Sequence, residues 1–86
     1  MNIIIENGIK ALNAQIVDLD FEIQINPKTK KSFELVLIDE LGDNLYNKTY
    51  TLSSSDFIKS KQALVDFFSE ISSIIEDRDS DNEKLY

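Results

Sequence analysis

Cysteine, histidine and tryptophan are absent from this 86-residue chain, proline occurs once and glycine twice. Without cysteine there are no disulfides and no thiol chemistry, and without histidine the common structural zinc sites are excluded as well. Small domains often depend on such staples, so this one must hold by packing alone. Two glycines cannot build a P-loop or a GxGxxG turn. Nucleophilic triads need an oriented base, usually histidine, and none is present. Carboxylate pairs such as Asp18/Asp20 and Asp20/Glu22 could in principle serve as acid and base, but a strand face offers them no cleft. The expectation is therefore no enzyme, no cofactor and no metal site.

Long apolar runs are also missing. None approaches the ~20 residues of a membrane span. Ile3-Ile4-Ile5 is cut short by Glu6 and lacks the basic lead-in of a signal peptide. A cytoplasmic location with no membrane association is the expectation. The abundance of Ile, Asn, Lys and Asp suggests AT-rich coding, hence a bacterial host cell or a phage or other mobile element. Asp77, Asp79 and Asp81 fit positions 1, 3 and 5 of a calcium loop, but Asn82 replaces the required glycine and the closing glutamate would fall past the last residue. Residues 77–86 are read instead as an acidic flexible tail on a single domain spanning 1–76.

What the chain does have is negative charge. Sixteen acidic residues against nine basic ones give a formal charge of −7. That balance opposes direct nucleic-acid binding, which depends on cationic contacts to phosphate. It favours the basic surface of another protein as partner.

Hydropathy patterning supplies the elements. Val17 to Ile25 alternates apolar and polar residues, which predicts a half-buried strand with Val17, Leu19, Phe21, Ile23 and Ile25 inward. Asn26 to Lys31 is a turn. Phe33 to Asp39 predicts a second strand, paired so that Ile25 opposes Phe33. Leu41-Gly42-Asp43-Asn44 is a second turn, and Leu45 to Leu52 predicts a third strand with Leu37 opposite Tyr46 and Phe33 opposite Tyr50. Lys48 then falls on the core face, where it can snorkel from an edge. Ser53-Ser54-Ser55-Asp56 marks a helix start, and Phe57, Leu64, Phe68, Ile71 and Ile75 form an apolar stripe over about five turns, widened by Ile58, Val65 and Ile74. Ile5, Ile9, Leu12 and Ile16 predict a short N-terminal helix, against the rival of an Asn7-Gly8 hairpin. The fold expected is α+β: a three-stranded antiparallel β-meander packed by a long C-terminal helix, with a short N-terminal helix, in α-β-β-β-α order.

That order resembles the double-stranded-RNA-binding domain over most of the chain. Lys28, Lys30 and Lys31 stand where that family's first hairpin enters the minor groove, and Lys59, Ser60 and Lys61 stand near its basic helix start. The resemblance implies a nucleic-acid-binding module using the lysine hairpin. Ile58 and Gln62 interrupt the second cluster, and no glycine-rich lead-in precedes it.

The acidic strand face suggests a different role. Asp18, Asp20 and Glu22 would repeat about every 6.6 Å on a strand, with Glu34 beside them and Asp39, Glu40 and Asp43 at the second turn. Such a strip could compete for a groove shaped for nucleic acid, whose strand carries a phosphate every ~3.4 Å. In size, charge and layout this resembles the DNA-mimicking anti-CRISPR and anti-restriction inhibitors of phages. Val36 and Ile38 share that outer face and would act as apolar anchors. The same apolar patch also leaves room for homodimerisation or for a structural, oligomeric subunit.

Overall fold

The computed structural model describes residues 3–52 and 56–83, with the backbone alone for Val17 and residues 78–83. Its elements are α1 (Ile3–Ile16), β1 (Glu22–Pro27), β2 (Ser32–Ile38), β3 (Asn44–Thr51) and α2 (Phe57–Glu83), with a short 3₁₀ turn over Val17–Leu19. The strands form one antiparallel sheet in the order β1-β2-β3. The expected α-β-β-β-α architecture is the one observed.

α1 is a helix because Ile5, Ile9, Leu12 and Ile16 line one face, and Ile5, Ile9 and Ile16 are buried by it. The hairpin rival at Asn7-Gly8 is not formed. Gly8 has a tertiary reason instead: a Cβ there would overlap the Leu64 side chain, with Cδ2 at 2.9 Å, so its bare backbone lets α2 approach. Asn13, also on α1, grips the free edge of β1. Its Oδ1 accepts from the Ile23 N–H at 2.7 Å and its Nδ2 donates to the Ile23 carbonyl at 3.1 Å. The side-chain amide thus imitates a neighbouring strand and closes that edge.

The expected strand from Val17 is only half right. The backbone turns through 3₁₀ geometry at Val17–Leu19, and Asp20 has φ 64°, a left-handed conformation that aspartate tolerates better than most side chains. The chain must reverse from α1 into β1 over these residues, and that requirement overrides the alternation. Leu19 is exposed rather than inward, and the side chain of Val17 lies outside the described residues.

Ile25 opposes Leu35 and Ile23 opposes Leu37, a slide of two residues from the expected pairing. An even slide keeps every side chain on its face, so the alternation could not have distinguished the two registers. The β2–β3 pairing is as expected, with Leu37 opposite Tyr46 and Phe33 opposite Tyr50. The expected pairing would continue with Leu45 opposite Ile38, but a shift between Leu37 and Ile38 places Ile38 opposite Asn44 instead.

α2 carries the largest corrections. Its buried face runs through Ser60, Ala63, Phe67, Ile71 and Ile75, whereas Phe57, Ile58, Val65 and Phe68 are exposed. Ser60, though buried, donates its hydroxyl to the Asp56 carbonyl at 2.6 Å. Phe67 fills the middle of the core against the Tyr46 ring, with centroids 5.6 Å apart. Asp56 is the N-cap, its Oδ1 accepting from the Lys59 N–H at 3.0 Å. The expected serine caps, Ser53 to Ser55, lie outside the described residues. Helical backbone continues to Glu83, past Ile75 and through residues 77–83, where the sequence predicts a flexible tail. Residues 84–86 lie outside the described residues. At ~1.5 Å per residue the helix is about 40 Å long, close to the 48 Å long axis of the fold.

Candidate functional site

Register brings most of the expected acidic residues to one end of the sheet. Glu22 pairs with Ile38, which sets Asp20-Phe21-Glu22 beside Ile38-Asp39-Glu40. Between them lies an open depression of about 320 Å³, lined by Asp20, Glu22, Asp39 and Glu40 together with Phe21 and Ile38. Asp43 closes the adjoining turn, and Asp18 sits in the 3₁₀ turn just before Asp20. Asp18, Asp20, Glu22, Glu40 and Asp43 are exposed. They take no part in the ion pairs that neutralise Glu34, Asp56 and Asp66.

This end is not the ribbon predicted from the sequence. Asp18 and Asp20 do not alternate along a strand, so the regular spacing fails while the clustering survives. Asp39 is occupied by the fold: its Oδ1 accepts from the N–H groups of Leu41 and Asp43, each at 3.0 Å, and its carbonyl accepts from Gly42, whose φ is +83°. This is an Asx-type turn with glycine at the position needing positive φ.

Glu34 and Val36 do not line this depression. Glu34 lies towards the other end, opposite Asn26. It accepts from Asn47 at 2.7 Å and Asn26 at 3.4 Å and pairs with Lys28 at 3.7 Å. The two amide hydrogen bonds, aided by Lys28, hold its carboxyl below the usual glutamate value. Val36, expected as an exposed anchor, is only 6% exposed. It stands on the central strand between Gln24 and Asn47, whose side chains share its face. Ile38 is half-buried and keeps its place at the depression. Phe21 was assigned wholly to the core by alternation; it is half-buried, packs against the core and also lines the depression. Only the true register could have revealed its second role.

The opposite end is basic. Lys28, Lys30 and Lys31 form the β1–β2 hairpin, organised by Lys28 and Thr29 N–H donors to the Ser32 carbonyl at 3.1 and 3.2 Å. Charge is therefore segregated along the sheet, carboxylates at one pole and amines at the other. Among the described residues no group of His, Cys, Asp or Glu converges to hold a metal ion, and no helix is long and apolar enough to cross a membrane.

A third polar cluster ties sheet to helix. Lys48, on the core face of β3 as expected, reaches Asp66 of α2 at 2.7 Å, and the Tyr50 hydroxyl donates to the same oxygen at 2.6 Å. The hydrogen bond from Lys48, followed by that from Tyr50, lowers the Asp66 carboxyl. Burial, then the hydrogen bond to Asp66 and its charge, pushes Tyr50 far above the ordinary phenol range, and the bond to Asp66 raises Lys48. The lowered carboxyl contributes stability above its unfolded value of ~3.9, lost as pH falls through its folded value. The raised Tyr50 and Lys48 contribute stability below about pH 10, lost as pH rises beyond it. Urea unfolding across pH should therefore give wild type an advantage over Asp66→Asn that is flat from about pH 5 to 9 and shrinks on both sides. An advantage that kept growing above pH 10 would contradict the bonding described.

No protein-family model, curated protein or solved structure matches this chain.

Proposed function

We propose that this protein is a small, acidic, non-enzymatic inhibitor that occupies a basic, nucleic-acid-binding surface of a partner protein, as DNA-mimic anti-CRISPR and anti-restriction proteins do. The observation supporting this reading is the gathering of Asp20, Glu22, Asp39 and Glu40 around a depression that also holds Phe21 and Ile38. Exposed carboxylates accept charge-assisted hydrogen bonds from arginine and lysine, and an apolar patch among them adds contact area that charge alone lacks. The absence of histidine and cysteine from the sequence supports a binding role over catalysis. A partner that handles nucleic acid fits best, because its binding surface carries the complementary charge.

The test is capture from bacterial lysate at low salt by immobilised wild-type protein and by a triple variant, Asp20→Asn, Glu22→Lys and Glu40→Lys. All three positions are exposed, and asparagine accepts the left-handed backbone of Asp20 as readily as aspartate, so circular dichroism should be unchanged. The reading expects the captured protein to lose affinity for the variant by roughly tenfold or more, to be released by added salt, and to be displaced by duplex DNA. Equal capture by both forms overturns it. So does tight binding of RNA or DNA by the wild-type chain itself in a gel shift, which would favour the lysine hairpin as a nucleic-acid module.

A further inference from the structure

α2 carries two apolar stripes, and the fold uses one. The second follows the steps of three and four of a coiled-coil seam, Ile58, Lys61, Val65, Phe68 and Ser72, with apolar side chains at Ile58, Val65 and Phe68. Ile58 is 72% exposed, Val65 69% and Phe68 38%. Val65 is a ridge between two shallow depressions. One, of about 240 Å³, is lined by Gly8 and Leu12 of α1 with Leu64 and Phe68. The other, of about 460 Å³, is lined by Lys61, Gln62, Asp66 and Ser69. A ridge between hollows is the shape that interlocks with a helix bearing the same pattern.

We propose that this seam binds a second copy of the chain, α2 against α2 in antiparallel orientation about a two-fold axis between Val65 and Phe68. Charge is the reason for choosing this occupant. On a chain of net charge −7, most faces repel a copy of themselves. The five seam positions from Ile58 to Ser72 hold no carboxylate, their one charged member is Lys61, and Asp66, which lines the hollow beside them, is paired with Lys48. Antiparallel pairing sets Val65 against the partner's Phe68 and Lys61 against the partner's Ser72, one turn from the partner's Glu76. A parallel arrangement would stack Lys61 on its own copy. The antiparallel arrangement also opposes the two helix dipoles. This proposal is independent of the acidic pole, which lies on the sheet.

Sedimentation equilibrium of the full chain should show a monomer–dimer equilibrium, and Val65→Glu should shift the dissociation constant upward by tenfold or more without altering the circular dichroism spectrum. Orientation is read by adding single cysteines to a chain that has none. In a mixture of Gln62→Cys and Ser69→Cys proteins, mild oxidation should give mainly the crossed disulfide. Added salt should leave this dimer intact, in contrast to binding at the acidic pole. A chain that stays monomeric up to about 1 mM, a dimer indifferent to Val65→Glu, or a preference for same-site disulfides overturns the proposal.

Discussion

Phe67→Ala is expected to cost about 3–5 kcal/mol, a large share of the whole stability of so small a domain. Folded domains hold roughly 0.05–0.15 kcal/mol per residue, so a chain of 86 residues has little to lose. Phe67, on α2, is fully buried in the core to which α1 and the sheet also contribute, with the Tyr46 ring beside it. Alanine would leave a void at the middle of a single small core that contains no disulfide to hold its walls. The neighbouring residue provides the control. Phe68 is partly exposed, and its truncation removes far less contact, so Phe68→Ala should lower the urea midpoint only slightly. Equal effects of the two substitutions would mean that α2 is rotated about its axis from the orientation described.

The contrast between Phe67 and Phe68 also shows where sequence reading reaches its limit. α1 was legible because its apolar residues occupy a single stripe. The β2–β3 pairing was legible because its turn and its alternation agree on one register. α2 was not, since apolar residues from Phe57 to Ile75 cover more than half its circumference, and two stripes fit the same spacing. Choosing between them requires knowing which side chains the sheet and α1 present. At the acidic pole the residue types were readable but their arrangement was not. The alternation Val17-Asp18-Leu19-Asp20-Phe21 implies a strand, yet Asp20 adopts a left-handed backbone to turn the chain into β1. The surroundings of Glu34 and Val36 were not legible because they come from residues distant in sequence, Asn47 above all, which hydrogen-bonds the one and flanks the other.

Asn13 left no such trace, and its replacement carries the second large effect expected. Asparagine in mid-helix is only a mildly poor helix former, so its presence reads as neutral. In the fold its amide satisfies both backbone groups of Ile23, a residue only 3% exposed. Asn13→Ala leaves that N–H and carbonyl without their partner, at a cost of about 1–3 kcal/mol, even though alanine favours the helix. It also uncovers the β1 edge, so light scattering should reveal aggregation that wild type resists. Asn13→Asp separates the bidentate clamp from simple packing. An ionised carboxylate can still accept from the Ile23 N–H, but it repels the Ile23 carbonyl and cannot donate to it. Protonation restores the donor, so the folded state should favour the protonated form and raise the pKa of the substituted carboxyl. Stability gained in this way is present below the unfolded value of ~3.9 and is lost as pH rises through the folded one. Measured by urea unfolding, Asn13→Asp should therefore approach wild type as the solution is acidified towards pH 4, while Asn13→Ala stays behind. If the two variants follow the same curve across that range, the clamp on Ile23 is not what holds β1 to α1.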